Sequence, residues 1–261
     1  MYSHIEGLIK DYKELDEVEA FVVGGSRATG KYDKKSDYDV YIYVNSVIPK
    51  DTRKNILSKY CKYMEIENCY FEMEDDCTLN NGIDIDIIYR NLDDFEKEIK
   101  SVVSDFNSSN GYTTCMWHNL LTSDIVFDKD GTYGKIKERY NVPYPKKLKE
   151  NIISKNFNLL SGVLPSYDMQ IKKAISRNDM VSINHRVTEF IASYFDIIFA
   201  INEMTHPGEK RLMSICKEQC KILPNNFEEN LTNLFNSLYK GEIVNDIIKS
   251  IVQELSKIIL Q

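Results

Sequence analysis

The spacing of apolar and polar positions changes character near residue 140. Before it, short alternating or continuous apolar runs are interleaved with stretches of helical period; after it, the helical period is almost unbroken. Ile5, Leu8, Ile9 and Tyr12 predict an amphipathic helix over 3–15. Glu19 to Gly25 reads as a short buried strand that ends in a glycine turn. Over 37–44, Tyr38, Val40, Ile42 and Val44 share one face of an alternating strand, and a second alternating strand covers Ile83 to Tyr89. Helices are expected over 51–64 and 92–105, and a short strand over 124–127. Six helices follow, near 146–160, 166–177, 179–204, 208–221, 225–238 and 241–259, separated by Gly, Pro and Asn. Pro143 and Pro145 punctuate the change and place a domain boundary within 140–146, giving domains of 1–142 and 143–261. Neither an internal repeat nor a low-complexity tract interrupts this pattern.

Composition narrows the class. With 43% hydrophobic and 28% charged residues, 261 residues suffice for a buried core in each half. The six cysteines lack zinc-site spacing; Cys216 and Cys220 are a helical i, i+4 pair, so reduced structural thiols are expected. The first residues, Met1 to Gly7, lack a basic and then apolar leader, and no apolar run has membrane-spanning length. A cytoplasmic protein without a membrane partner is expected. The net charge of −7 is unevenly distributed, because residues 1–140 hold 27 acidic and 18 basic side chains. That balance disfavours nucleic acid as a partner, since phosphate contacts need clustered Lys and Arg. It is compatible with divalent metals or a cationic substrate, although solubility alone accounts for much of it.

The stretch from Val23 to Val44 carries the chemistry. A strand runs into Gly24-Gly25-Ser26, where glycine lets the backbone approach a phosphate and Ser26 adds a hydroxyl donor. Arg27 is a candidate charge partner for that phosphate. Asp37 and Asp39 stand at i and i+2 at the start of the next strand, so their carboxylates converge on one face. Convergent carboxylates suit Mg²⁺, a hard ion that takes oxygen ligands and shares them with phosphates. Either element alone is common; together, at the edges of two strands, they are specific. Gly25 to Lys31 also fits P-loop spacing, but Tyr32 stands where that motif needs Ser or Thr, and a strand follows instead of a long helix. On the later strand, Asp84 and Asp86 share the face opposite Ile83, Ile85 and Ile87. Either could supply a third carboxylate; Asp86, directly before Ile87-Ile88-Tyr89-Arg90, is favoured.

This pattern resembles the DNA polymerase β-like nucleotidyltransferase superfamily, through Val23-Gly24-Gly25-Ser26, Asp37-Tyr38-Asp39-Val40 and Asp86. Within it, the chain is most similar to bacterial antibiotic adenylyltransferases acting on aminoglycosides and lincosamides, and to their uncharacterised relatives. The resemblance is specific over 20–90 and architectural elsewhere. It implies an α+β fold, a small mixed-sheet nucleotidyltransferase core followed by a C-terminal helical bundle. It also implies that Asp37, Asp39 and Asp86 hold two Mg²⁺ ions with the phosphates of ATP or another NTP. The expected reaction moves a nucleoside monophosphate, AMP in the leading case, to a hydroxyl of a small acceptor and releases pyrophosphate. An antibiotic acceptor rests on the resemblance alone.

The helical half supplies further candidates. On the long helix 179–204, His185, Glu189, Asp196 and Glu203 fall on one side among many apolar positions. A solvent-facing stripe is the plain reading. The functional one makes Glu189 the acceptor-side base, with Asp86 an alternative; Asp196, set among aromatic and aliphatic residues, is expected to be buried and structural. By the resemblance, Lys210 is a candidate triphosphate ligand, and His118, beside Trp117, is expected to pack rather than react. A protein-modifying, antitoxin-like transferase and a non-catalytic nucleotide-binding protein on the same fold are the competing readings. The expected partners are an NTP and a small hydroxylated acceptor, with the chain a monomer or a homodimer.

Overall fold

The computed structural model describes residues 2–30, 32–33, 36–70 and 72–260. Lys31, Lys34 and Lys35, within the stretch that carries the motif, lie outside the described residues, so the Lys31 of the P-loop spacing is not placed. The elements in chain order are α1 (Glu6–Lys13), β1 (Val18–Val23), α2 (Gly25–Ala28), β2 (Tyr38–Val44), α3 (Lys50–Leu57), β3 (Cys61–Asn68), β4 (Glu74–Leu79), β5 (Asp84–Asn91), α4 (Leu92–Val103), α5 (Cys115–Thr122), β6 (Asp124–Asp128) and α6 (Thr132–Tyr140). Helices α7 (Lys146–Ser161), α8 (Tyr167–Ser176), α9 (Met180–Ile201), α10 (Leu212–Gln219), α11 (Phe227–Ser237) and α12 (Ile243–Ile259) follow. The fold is α+β, a mixed sheet followed by helices. The chain forms two compact units, one of 1–100 with 119–142 and one of 101–118 with 143–261.

In the first unit six strands form one sheet in the order β3-β4-β5-β2-β1-β6. All neighbours are antiparallel except β2 and β5, which run parallel. β1 is buried at every residue but Glu19, on both faces of the sheet, whereas β5 and the start of β2 alternate. Tyr38, Val40, Ile42 and Val44 turn to a core shared with Ile85, Ile87, Leu8, Tyr12, Ile56 and Leu57. The other face carries Asp39 and Asp86.

The helix expected over 51–64 ends at Leu57, and 61–68 is a strand. Ile56, Leu57, Tyr60, Cys61 and Met64 mimic a helical stripe, but the backbone tightens into i→i+3 turns at Lys59 and Tyr60 and then pairs with β4. A polar network is sealed into this core. The fully buried Arg53 of α3 pairs with the fully buried Asp75 of β4. Asp75 also accepts from Tyr89 Oη at 2.8 Å and Glu67 N at 2.8 Å, and Tyr89 Oη meets Tyr12 Oη at 2.6 Å. Asp75 therefore faces the core while its neighbours Glu74 and Asp76 face the other way.

In the second unit α9 is the central helix. From Ala192 to Ile201 every residue is buried, as expected of a helix enclosed by others. Phe190, Tyr194, Phe195 and Ile198 pack with Ile171 of α8, Leu231 of α11 and Ile248 of α12. Asp196 is almost fully buried among them and accepts from Thr113 Oγ1 at 2.6 Å, Thr113 N at 3.1 Å and Asn156 Nδ2 at 3.2 Å. Among the described residues no helix is long and apolar enough to cross a membrane.

Removing one member of a buried ion pair strands the other charge. Asp75→Ala is expected to lower unfolding free energy by about 3–5 kcal/mol, read as a shift in urea midpoint.

Candidate active site

Two strands of the same direction place the site. In the parallel register of β2 and β5, Asp39 stands opposite Asp86. Asp37 lies just before β2, two residues from Asp39, and its carboxylate joins theirs. One oxygen from each of Asp37, Asp39 and Asp86 lies within 4.8 Å of the others, and all three side chains are half-buried. Asp84 is exposed and accepts a hydrogen bond from Thr78 Oγ1 at 2.8 Å, so of the two candidates only Asp86 joins the cluster.

The Gly24-Gly25-Ser26 turn is held against this cluster. Gly24 N donates to Asp39 O at 2.8 Å. Gly25 has φ +61°, and a Cβ there would land on the Asp39 carboxylate, 2.6 Å from its Cγ. At Gly24 a Cβ would meet Tyr41 Cε2 at 2.6 Å. Both glycines are needed for close approach, and Gly25 also for its backbone conformation. Helix α2, a single turn, leads from the exposed Gly25 and half-buried Ser26. No long helix follows, which removes the P-loop spacing as a structural P-loop.

Arg27 is placed differently from the expected phosphate contact. Its Nε donates to Asp37 O at 2.7 Å and its Nη2 to Ser36 O, and its guanidinium lies 3.8 Å from the centre of the Tyr38 ring. Tyr38 points to the core face of β2, opposite to Asp39. Arg27 thus braces the loop before β2 from behind the carboxylates.

Two acidic neighbours were not anticipated from the sequence. Asp76 of β4 is the register partner of Asp86, and Glu74 lies two residues away on the same face. Asp76 accepts from Asn68 Nδ2 at 2.7 Å. Burial, followed by the charges of Asp76, Asp37, Asp39 and Glu74, pushes the Asp86 carboxyl up to about 6. The Glu74 carboxyl is raised by burial, then by Asp76 and Glu72. The i, i+2 spacing of Glu72, Glu74 and Asp76 was the available signal. Its high charge hid the strand.

The donor set fits a hard divalent cation. It is all oxygen, half-buried, and crowded with like charges that an ion would relieve. Glu189 and Lys210 belong to the helical unit. Glu189 is half-buried, with Tyr167 Oη 3.4 Å from its Oε2; Lys210 is exposed, just before α10. The expected stripe on α9 breaks up: His185 is exposed, Asp196 is buried, and Glu203 lies beyond the helix, paired with Lys149 at 3.0 Å. His118 Nδ1 lies 2.8 Å from Thr205 Oγ1.

Residues 5–106 match the family model of a nucleotidyltransferase domain, and residues 113–212 match a family described as a domain of unknown function, DUF4037. No curated protein matches the chain. Among solved structures, a nucleotidyltransferase-like protein from Exiguobacterium sibiricum 255-15 aligns at 9% identity and TM-score 0.45, over 99% of this chain and 74% of that one. An aminoglycoside 6-adenyltransferase from Bacillus subtilis aligns at 11% identity and TM-score 0.31, over 100% and 92%. The Thermotoga maritima CCA-adding enzyme complexed with tRNA aligns at 11% identity and TM-score 0.31, over 98% and 80%.

Two expectations follow from this geometry. Gly25→Ala should displace Asp39 and lower unfolding free energy by about 1–3 kcal/mol, measured by urea titration. The second concerns Asp196, whose carboxyl burial pushes up to about 6, above its ordinary 3.8. A carboxyl that binds its proton more tightly when folded gives stability that is full below pH 4 and is lost as pH rises through about 6. Unfolding free energy of the parent chain, compared with Asp196→Asn at each pH, should therefore fall by on the order of 1–3 kcal/mol across that window.

Proposed function

We propose that this chain, whose residues 5–106 match a nucleotidyltransferase domain, transfers a nucleoside monophosphate to a hydroxyl of a small molecule and releases pyrophosphate. AMP from ATP is the leading donor, and a hydroxylated antibiotic the leading acceptor. The observation that carries the reading is the convergence of Asp37, Asp39 and Asp86 beside a Gly24-Gly25-Ser26 turn with no room for another side chain.

Asp37, Asp39 and Asp86 would hold the metal, Mg²⁺ being the ion their chemistry suits. Bound there, such an ion supplies charge neutralisation at the phosphates and acidifies the attacking hydroxyl. The chain's own residues do the rest. Main chain at Gly24 and Gly25, with the Ser26 hydroxyl, contacts the phosphate side, where the absence of side chains permits close approach. Arg27 fixes the carbonyls of Ser36 and Asp37 and so sets where the Asp37 carboxylate stands. Asp86, one of the three converging carboxylates, is a candidate to take the acceptor proton. Glu189 is the helical unit's candidate for that role, and Lys210 its candidate for phosphate contact.

Pyrophosphate release is the decisive measurement, with ATP, Mg²⁺ and a panel of hydroxylated compounds that includes aminoglycosides and lincosamides. Acceptor-dependent release is expected, with Asp37→Ala and Asp86→Ala each losing about 10²-fold or more in kcat. Glu189→Gln should lower kcat only if the helical unit supplies the base, and Lys210→Ala should raise the KM for ATP. A chain that binds neither ATP nor metal overturns the reading.

A further inference from the structure

Behind the carboxylates lies a cavity that the transferase reading leaves unused. It has a volume of 560 Å³ and is lined by His4, Arg27, Tyr32, Asp33, Asn81 and Ile83. None of Asp37, Asp39 and Asp86 lines it. Its walls come from the start of the chain, the loop before β2 and the turn between β4 and β5. Ile83 and Tyr38, the ring under Arg27, both pack on the core side of the sheet. The cavity and the carboxylates are therefore on opposite sides of β2.

Arg27 is the reason to assign this cavity a ligand. The residue is only 8% exposed, yet among the described residues no carboxylate pairs with its guanidinium. Its charge meets two neutral main-chain carbonyls, of Ser36 and Asp37, and the faces of Tyr38 and Tyr32, at 3.8 Å and 5.2 Å. A buried cation normally has an anionic counterpart, because leaving water without one is costly. Here that cation lines a cavity of ligand size. The remaining walls suit a small organic anion: His4 and Asn81 offer polar groups, and Tyr32, exposed on the wall, offers a flat face. Among the described residues of the lining Asp33 is the acidic one; its Oδ1 accepts from Ser36 Oγ at 3.3 Å.

We propose that this cavity is a second binding site, distinct from the carboxylate cluster, for a small molecule that presents a phosphate or carboxylate group to Arg27. The site goes beyond the transferase reading and does not depend on it. Occupancy bears on the cluster, because an anion on Arg27 shares the guanidinium that holds the Ser36 and Asp37 carbonyls. Binding there and placement of the Asp37 carboxylate are linked through one side chain.

The test is calorimetric titration of the metal-free, full-length chain with inorganic phosphate, in the absence of nucleotide. One saturable site per chain is expected. Asp33→Asn should tighten phosphate about fivefold, since it removes one like charge from the cavity wall. Arg27→Gln should abolish binding and Asn81→Ala should weaken it, while Ser26→Ala and Asp39→Ala leave it unchanged. Because Arg27→Gln also loosens the loop before β2, Asp33→Asn decides: a merely bracing Arg27 gives no phosphate response to that change. Absence of saturable binding overturns the proposal. So does binding that responds to Ser26→Ala or Asp39→Ala and not to Asp33→Asn, which would put phosphate on the carboxylate side. Neither result touches the pyrophosphate assay, so the two readings fail separately.

Discussion

The parallel pairing of β2 with β5 is the constraint on which the rest depends. In a sheet otherwise antiparallel, these two strands start from the same end, and Asp39 and Asp86 lie within the first three residues of each. The register sets Asp39 beside Asp86, and alternation sends both away from the core filled by Val40, Ile42, Ile85 and Ile87. A slip of one residue would turn the carboxylates into that core and the isoleucines into water. Burial of the apolar face and convergence of the acidic face are thus the same structural fact. The repulsion among the carboxylates is held in place by the burial of the opposite face.

The turn after β1 works against the same strand from two sides. On one, Gly25 lets the main chain come as close to Asp39 as a missing side chain allows. On the other, Arg27 of the same turn reaches behind β2 to the carbonyls of Ser36 and Asp37 and the ring of Tyr38. A short helix of four residues is enough to make this switch, since residues two apart in α2 point to different sides. The turn and the strand therefore position each other, and the space before β2 is divided into an acidic side and a side that bears the Arg27 guanidinium.

Much of this was legible in the residues. The strands at Val18–Val23, Tyr38–Val44 and Asp84–Asn91 follow from plain alternation or continuous apolar runs, and the helical half from its period. Glycine at 24 and 25 and aspartate at 37 and 39 pointed to the candidate site, because their chemistry is local. What was hidden depended on pairing. β4, Glu74-Asp75-Asp76-Cys77-Thr78-Leu79, is too acidic to read as a strand alone, and becomes one only between β3 and β5. With β4 unread, Asp76 next to Asp86 and Asp75 on Arg53 were both out of reach. The direction of Arg27 was equally hidden, since one helical turn decides which side of β2 it serves.

Two aspartates with similarly raised proton affinity show how environment separates roles. Asp196 and Asp86 are both pushed up to about 6, and burial is the first cause for each. Around Asp196 the next influences are donors, Thr113 and Asn156, which oppose the rise and satisfy its oxygens. Such a carboxyl is already solvated by protein, and serves to tie the segment at Thr113 to α7 and α9. Around Asp86 the next influences are carboxylates, which add to the rise. Among the described residues its ionised form lacks the donors that Asp196 has, and a cation bound there would take their place. The same shift therefore marks a finished structural contact in one unit and a candidate cation site in the other.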